Sequence, residues 1–256
     1  MEIIDSHIHL DTYGEDEKKC ILANPDFSYL ISVSMHLQSS MNNLQLAQKD
    51  SRVKVAFGFH PEQEIPTEHE LKELLNWMGE QRKEMVAVGE VGLPYYLRQE
   101  NVKLDLSAYI ALLERFIIFA KEQNKPIILH AVYEDAPIVC DLLEKHGVKK
   151  AHFHWFKGSE ETIKRMIENG YCISITPDVC YEEEIQQLVH IYPLELMMVE
   201  TDGPWPFEGD FEGMMTSPQM IHESIKQIAH IKQIDVQRVY EVLYENTMTF
   251  YELGMK

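Results

Sequence analysis

Eight short apolar runs of strand length alternate with segments of helical period along this chain, and that alternation restricts its fold more than any other feature. The strand-like runs fall at 2–5, 28–34, 53–58, 85–89, 126–130, 150–154, 171–175 and 195–200. Helices are predicted near 15–23, 38–49, 67–80, 102–124, 134–146, 159–169, 182–191, 217–231 and 235–251. The longest keeps Leu106, Ile110, Leu113, Ile117 and Ala120 on one stripe. Asp135 and Ser159 read as helix starts. Repeated strand-then-helix units call for a parallel sheet with right-handed crossovers. With 256 residues and no linker or repeat, the chain fits a single α/β domain, residues 1–256, built as a (β/α)8 TIM barrel. No Gly-x-Gly-x-x-Gly loop follows the first run, which removes the main pointer to an open dinucleotide-binding sheet. Residues 203–216, rich in Gly, Pro and aromatics, sit where a wall or lid of a site belongs.

In such a barrel the carboxyl ends of all strands open on one face, where catalytic groups collect. Here those ends carry Asp5-Ser6-His7-Ile8-His9, then Glu90, His130, His154 and Asp202. Side chains alternate along a strand, so His7 and His9 share a face, and Asp5 joins them by the same parity. Burying three such groups is costly unless something ties them together, and a metal ion does. Glu90 interrupts an apolar run, and its two oxygens suit it to bridge two ions about 3.5–4 Å apart. Asp202 can bind through one oxygen and take a proton through the other. Each residue also has an ordinary structural reading: a hydrogen-bonded core histidine, a buried ion pair at Glu90, a helix cap at Asp202. Pro204 and Pro206 argue against the cap. His152, two before His154, supports either a role behind the ligands or one in the core. His36 ends the second run and is expected toward the cleft, while His69, His146, His190, His222 and His230 fall on helices and face solvent. Lys157 and Arg98 are the basic residues nearest these positions. Trp205 and Phe207 either line a pocket or cover the barrel mouth.

The formal net charge is −19, from 42 acidic and 23 basic residues. Such a surface repels polyanions, so strong binding of long duplex nucleic acid is not expected. A phosphate-bearing substrate stays open, because bound divalent cations would dominate the field inside a cleft. Four widely spaced cysteines without a zinc or redox pattern read as reduced thiols of a cytoplasmic protein. The acidic start enters a strand at once, with no export signal. No run approaches the roughly 18–20 apolar residues that cross a bilayer, so no membrane partner is expected.

Six motifs, in order, resemble the signatures of the TatD-type metal-dependent hydrolases. They are Asp5-x-His7-x-His9, Gly58-Phe59-His60-Pro61, Gly89-Glu90-Val91-Gly92-Leu93, Pro126 through His130, His154-Trp155-Phe156-Lys157-Gly158 and Glu200-Thr201-Asp202-Gly203-Pro204. Asn246 through Phe250 resembles the family's closing Asn-and-Phe motif, so the likeness spans essentially the whole chain. The resemblance implies an amidohydrolase-like barrel with one or two divalent ions. It implies that His7, His9, Glu90 and Asp202 hold one ion, that Glu90, His130 and His154 hold the other, and that His60 lies beside the substrate or behind the ligands. The chain departs from the family pattern at Pro94, where Asp is usual, at Val132, where Arg is common, and at Tyr109 and Phe116, where Gln is frequent. None of these is a ligand position, so the departures bear on substrate choice.

The expectation is therefore a hydrolase in which Asp202 and Glu90 are catalytic and His60 and Lys157 meet the substrate. Water activated by the metal would attack a phosphodiester or related ester of a small or short anionic substrate. The alternative is amidohydrolase-type cleavage of a carbon–nitrogen bond, and a metal-storage protein without catalysis is the rival from another class. The mixed nitrogen and oxygen donors favour zinc, manganese, nickel or iron. Family members are described as magnesium-dependent deoxyribonucleases, which keeps magnesium among the candidates.

Overall fold

Each expected apolar run contributes a strand to the computed structural model, which describes residues 1–254. The strands are β1 (Ile3–Ile8), β2 (Phe27–Ser32), β3 (Val53–Phe57), β4 (Met85–Gly92), β5 (Ile127–His130), β6 (Ala151–Phe153), β7 (Cys172–Ile175) and β8 (Met197–Val199). They form one eight-stranded sheet in sequence order, each strand from β1 to β7 pairing in parallel with the next. The ring joins where the segment after β8 meets β1: Asp202 N–H donates to the His7 carbonyl at 2.9 Å and His9 N–H to the Gly203 carbonyl at 2.8 Å. The fold is the (β/α)8 barrel expected from the alternation.

The helices are α1 (Glu15–Ala23), α2 (Leu37–Lys49), α3 (Glu68–Glu80), α4 (Tyr95–Glu100), α5 (Leu106–Gln123), α6 (Asp135–His146), α7 (Glu160–Asn169), α8 (Glu183–Ile191), α9 (Ile221–Lys232) and α10 (Val236–Phe250). Their apolar stripes pack on the outer face of the strands, as Leu113, Phe116 and Ile117 of α5 do. Ser159 caps α7 as expected, its hydroxyl accepting from Thr162 N–H. Asp135 opens α6 without capping it; its carboxylate pairs instead with Arg98 at 2.6 Å. The helix α5 starts later than its pattern suggested, because the Asp105 side chain caps Ser107. The helix α4 was not expected at all. It is short, lies beside the barrel mouth and has no fully buried residue from which a periodic stripe could be read.

Inside the barrel, Ile4, Ile31, Ala56, Ala87, Ile128, Cys172 and Met198, from seven different strands, meet in a second apolar cluster. Tyr251 and Leu253, just past α10, join it. The eighth strand, β6, contributes His152, which is buried and bonded to the Tyr251 hydroxyl at 2.7 Å and to Ser174 Oγ at 2.6 Å. Its hydrogen-bonded core role is thus the one realised. This filling leaves the carboxyl ends of the strands for polar groups.

Backbone approach around the mouth is close. A Cβ on Gly92 would stand 1.9 Å from the His130 carbonyl oxygen, whereas one on Gly79, within α3, would meet nothing within 4 Å. Gly92→Ala is expected to destabilise the protein by about 1–3 kcal/mol or more through overpacking. Gly79→Ala should stabilise it by roughly 0.5–1 kcal/mol through helix propensity. Thermal unfolding of the two variants checks this, and a Gly92→Ala protein as stable as wild type would contradict the packing of β4 on β5.

Candidate metal centre

Five of the six expected strand-end groups lie within one or two hydrogen-bond lengths of the sixth, Glu90. His7 is within β1 and His9 just past it; Glu90 is within β4; His130 ends β5; His154 follows β6; Asp202 follows β8. All six are buried. Glu90 Oε2 is 3.3 Å from Nε2 of His7 and 3.3 Å from Nε2 of His9. Its other oxygen, Oε1, is 3.0 Å from His130 Nδ1 and 2.5 Å from His154 Nε2. Asp202 Oδ1 closes the first side, 3.1 Å from His7 Nε2 and 3.4 Å from His9 Nε2. The carboxylate of Glu90 thus meets His7 and His9 with one oxygen and His130 and His154 with the other.

Local backbone features aim these groups. The β1–β2 register shifts between Asp5 and Ile8, and the β4–β5 register shifts between Val88 and Val91. Such irregularities reset side-chain alternation and commonly re-aim residues beside active sites. They let Ile4 and His7, or Ala87 and Glu90, both point inward although the members of each pair are three positions apart, an odd step. Asp5 is the casualty of that reset. Parity placed it with the histidines, but its carboxylate turns to the neighbouring chain segment, accepting Thr201 N–H at 3.0 Å and Thr201 Oγ–H at 2.6 Å. It joins β1 to the segment that carries Asp202. Burial pushes the Asp5 carboxyl up to about 7 against these hydrogen bonds. Asp202 itself adopts a left-handed backbone with φ 48°, a conformation costly for a non-glycine residue. The backbone bond from Asp202 to His7 holds it there.

Burial and mutual contact pull the ionisable groups of the cluster in opposite directions. Burial opposes ionisation of Glu90, yet the facing His154, His60 and His7 hold its carboxyl well below the usual range. Asp202 is likewise held low, against burial, by the facing imidazoles of His7 and His9. Burial works against a charged His9, but Asp202 and Glu90 raise it to about 10. His60, 3.6 Å from Glu90 Oε1, goes the other way, and burial pushes it down to about 4. Even so, His7 Nε2, Glu90 Oε2 and Asp202 Oδ1 lack hydrogen bonds of acceptable geometry although they face one another. Buried polar atoms are normally satisfied, and convergent orphans of this kind fit a divalent cation with mixed nitrogen and oxygen donors. Compact sets suited to one ion are His7–His9–Asp202, His7–Glu90–His154 and His9–His60–Glu90. The last brings His60 closer to ligand duty than the sequence suggested.

A cavity of about 350 Å³ opens over the cluster. His60, His130, His154 and Asp202 form its floor, and Tyr96, Val132, Trp155, Trp205 and Glu62 its walls. Two roomier grooves, of about 550 and 600 Å³, lie elsewhere without such convergence of ionisable groups. Trp155 is fixed by three contacts: its N–H donates to Glu200 Oε1 at 2.8 Å, its Nε1–H to Asp178 Oδ2 at 2.6 Å, and its ring packs on Phe207. Trp205 therefore lines the pocket, while Phe207 is buried beneath and props its wall. Lys157 does not line the cavity; its ammonium lies 5.8 Å over the Trp155 ring. Arg98 is held by Asp135, and His36 caps α2 beside a neighbouring groove. His146 and His222 are only partly exposed, bonded to Glu114 and to Tyr240. Sequence reasoning passed over Glu62 and Tyr96. The one signal for Glu62 was its place two residues after His60.

A family model described as TatD related DNase matches residues 4–252. The chain belongs to that family. An uncharacterized metal-dependent hydrolase of Haemophilus influenzae is 38% identical over 252 residues, covering 98% of this chain and all of its own length. Human deoxyribonuclease TATDN3 is 28% identical, over 97% of this chain and 94% of its own. Among solved structures, the Escherichia coli TatD homologue YJJV superposes with a TM-score of 0.86 at 22% identity, over 98% of each chain, and supports the barrel. The protein is accordingly a metal-dependent hydrolase of the TatD family. No helix among the described residues is long and apolar enough to cross a membrane.

Proposed function

We propose that this hydrolase cleaves an ester bond of a small or short anionic substrate, a phosphodiester at a short single-stranded end being the leading case. The observation that carries the reading is the position of Glu90, whose two oxygens face two imidazole sets beneath one cavity. His7, His9 and Asp202 with Glu90 Oε2 would hold one divalent cation, and His130 and His154 with Glu90 Oε1 a second. Zinc, manganese, nickel or iron suit these donors better than magnesium, which prefers oxygen. When bound, such an ion supplies a Lewis acid that polarises the substrate oxygen and brings the pKa of water to about 7.

The chain's own residues do the rest. Asp202, kept ionised by His7 and His9 and open to the cavity, is placed to accept a proton from the attacking water and return it to the leaving group. His60 borders the same floor and contacts the substrate's reacting end. Tyr96, Trp155 and Trp205 offer flat walls on which an unpaired base can stack, a contact worth about 1–3 kcal/mol. Among the described residues, neither Lys nor Arg lines the cavity, which leaves a chain of phosphates without a clamp. That gap, with a net charge of −19, supports poor activity on long duplex. It also favours the second reading, hydrolysis of a carbon–nitrogen bond in a small molecule. Model phosphodiesters and small amides assayed side by side separate the two.

Asp202→Asn should keep the fold while turnover falls by about 10²–10⁴-fold, the usual cost of losing a general base. Chelator treatment should abolish wild-type turnover, and near wild-type activity of Asp202→Asn would remove Asp202 from the proton transfer.

Val132→Arg places a guanidinium on the cavity wall, where it can clamp a phosphate through two hydrogen bonds. It should raise kcat/KM on a short 5′-labelled oligonucleotide, more at low salt than at moderate salt. Strong wild-type digestion of long duplex, with no gain from the added Arg, would contradict the proposed substrate.

A further inference from the structure

His130 uses only one ring nitrogen toward the cluster. Its Nδ1 faces Glu90 and His154, while Nε2 points the other way, 3.1 Å from Glu62 Oε1. The same carboxylate accepts two backbone N–H groups from the first turn of α4, Tyr96 at 2.9 Å and Leu97 at 2.6 Å. Burial opposes ionisation of Glu62, but its bonds to His130 and Leu97 hold the carboxyl below the usual range. Arg98, on the same helix, is anchored to Asp135 at the start of α6, 2.6 Å away. Glu62, from the loop between β3 and α3, thus joins His130 to the helix that brings Tyr96 to the cavity.

We propose that Glu62 is a positioning residue for the second cation site: it accepts the Nε2–H of His130 and so leaves Nδ1 as the free donor facing Glu90 and His154. This rests on the reading that His130, His154 and Glu90 hold a cation. A carboxylate behind a ligating imidazole fixes its tautomer and ring orientation and raises its basicity. Because the same carboxylate accepts from the α4 backbone, Glu62 cannot swing away from His130 without releasing that helix. Occupancy of the second site and the seating of Tyr96 are therefore linked through one side chain.

The test is competition titration of chelator-stripped protein with manganese and with zinc against a chromophoric chelator. Wild type, Glu62→Ala, Glu62→Gln, His130→Ala and the Glu62→Ala/His130→Ala double variant are compared. Glu62→Ala should weaken the equivalent that His130→Ala abolishes by about 10–100-fold and leave the other unchanged. Glu62→Gln, whose amide oxygen still accepts the Nε2–H, should recover most of that loss. In the double variant the Glu62 substitution should add nothing. If His130→Ala removes an equivalent and Glu62→Ala changes neither affinity, Glu62 is only a helix cap and the inference fails while the site stands. If His130→Ala leaves every affinity unchanged, the second site fails, and the role of Glu62 with it.

Discussion

A carboxylate buried at the mouth of the barrel, Glu90, is the constraint around which the site is arranged. An ionised carboxylate removed from water is strongly disfavoured unless positive charge or hydrogen-bond donors meet it. Here imidazoles from β1, β5 and the segments after β1, β3 and β6 converge on its two oxygens. Reaching that arrangement requires close backbone contact among three strands. A Cβ at Gly58 would stand 2.6 Å from the Glu90 carbonyl oxygen, so the β3 end leaves room for the strand that carries Glu90. Gly92 gives β5 the same clearance on the other side. The barrel's inward apolar residues fill the opposite end, and the cluster occupies what remains.

The fold was legible because both of its periods are written plainly. Runs such as Ile127-Ile128-Leu129, set between helical segments, read as doubly covered strands, and helices such as α5 show one continuous stripe. The convergence of these groups was legible because strand ends in a parallel barrel share a face. What parity alone misjudged was Asp5, since the register shift between Asp5 and Ile8 depends on pairing with β2 and leaves no mark in composition. Glu62 escaped for a related reason: its importance comes from lying 68 residues before His130 in sequence but 3.1 Å from it in space. Lys157 shows the converse. Adjacency to a motif residue did not bring its side chain to the cavity, because Trp155 takes that position and the lysine folds back over its ring.

Membership of the TatD family and the chemistry of the floor agree. Val132, Tyr96, Trp155 and Trp205 make the cavity apolar and aromatic, and Glu62 adds an acid that is already engaged by His130 and α4. Glu90 and Asp202 lie at its floor, where charges out of bulk water act most strongly on one another.

The central claim is that the imidazoles and carboxylates around Glu90 form a divalent cation centre. A ligand that binds only the folded state raises its stability by RT ln(1 + [L]/Kd), about 2.7 kcal/mol at a hundredfold excess over Kd. The direct measurement is the Tm of chelator-stripped protein as manganese or zinc is added, alongside His7→Ala and His154→Ala. The account predicts a saturable rise in wild-type Tm that shrinks in each variant. An unchanged wild-type Tm, or an equal rise in all three proteins, would contradict it.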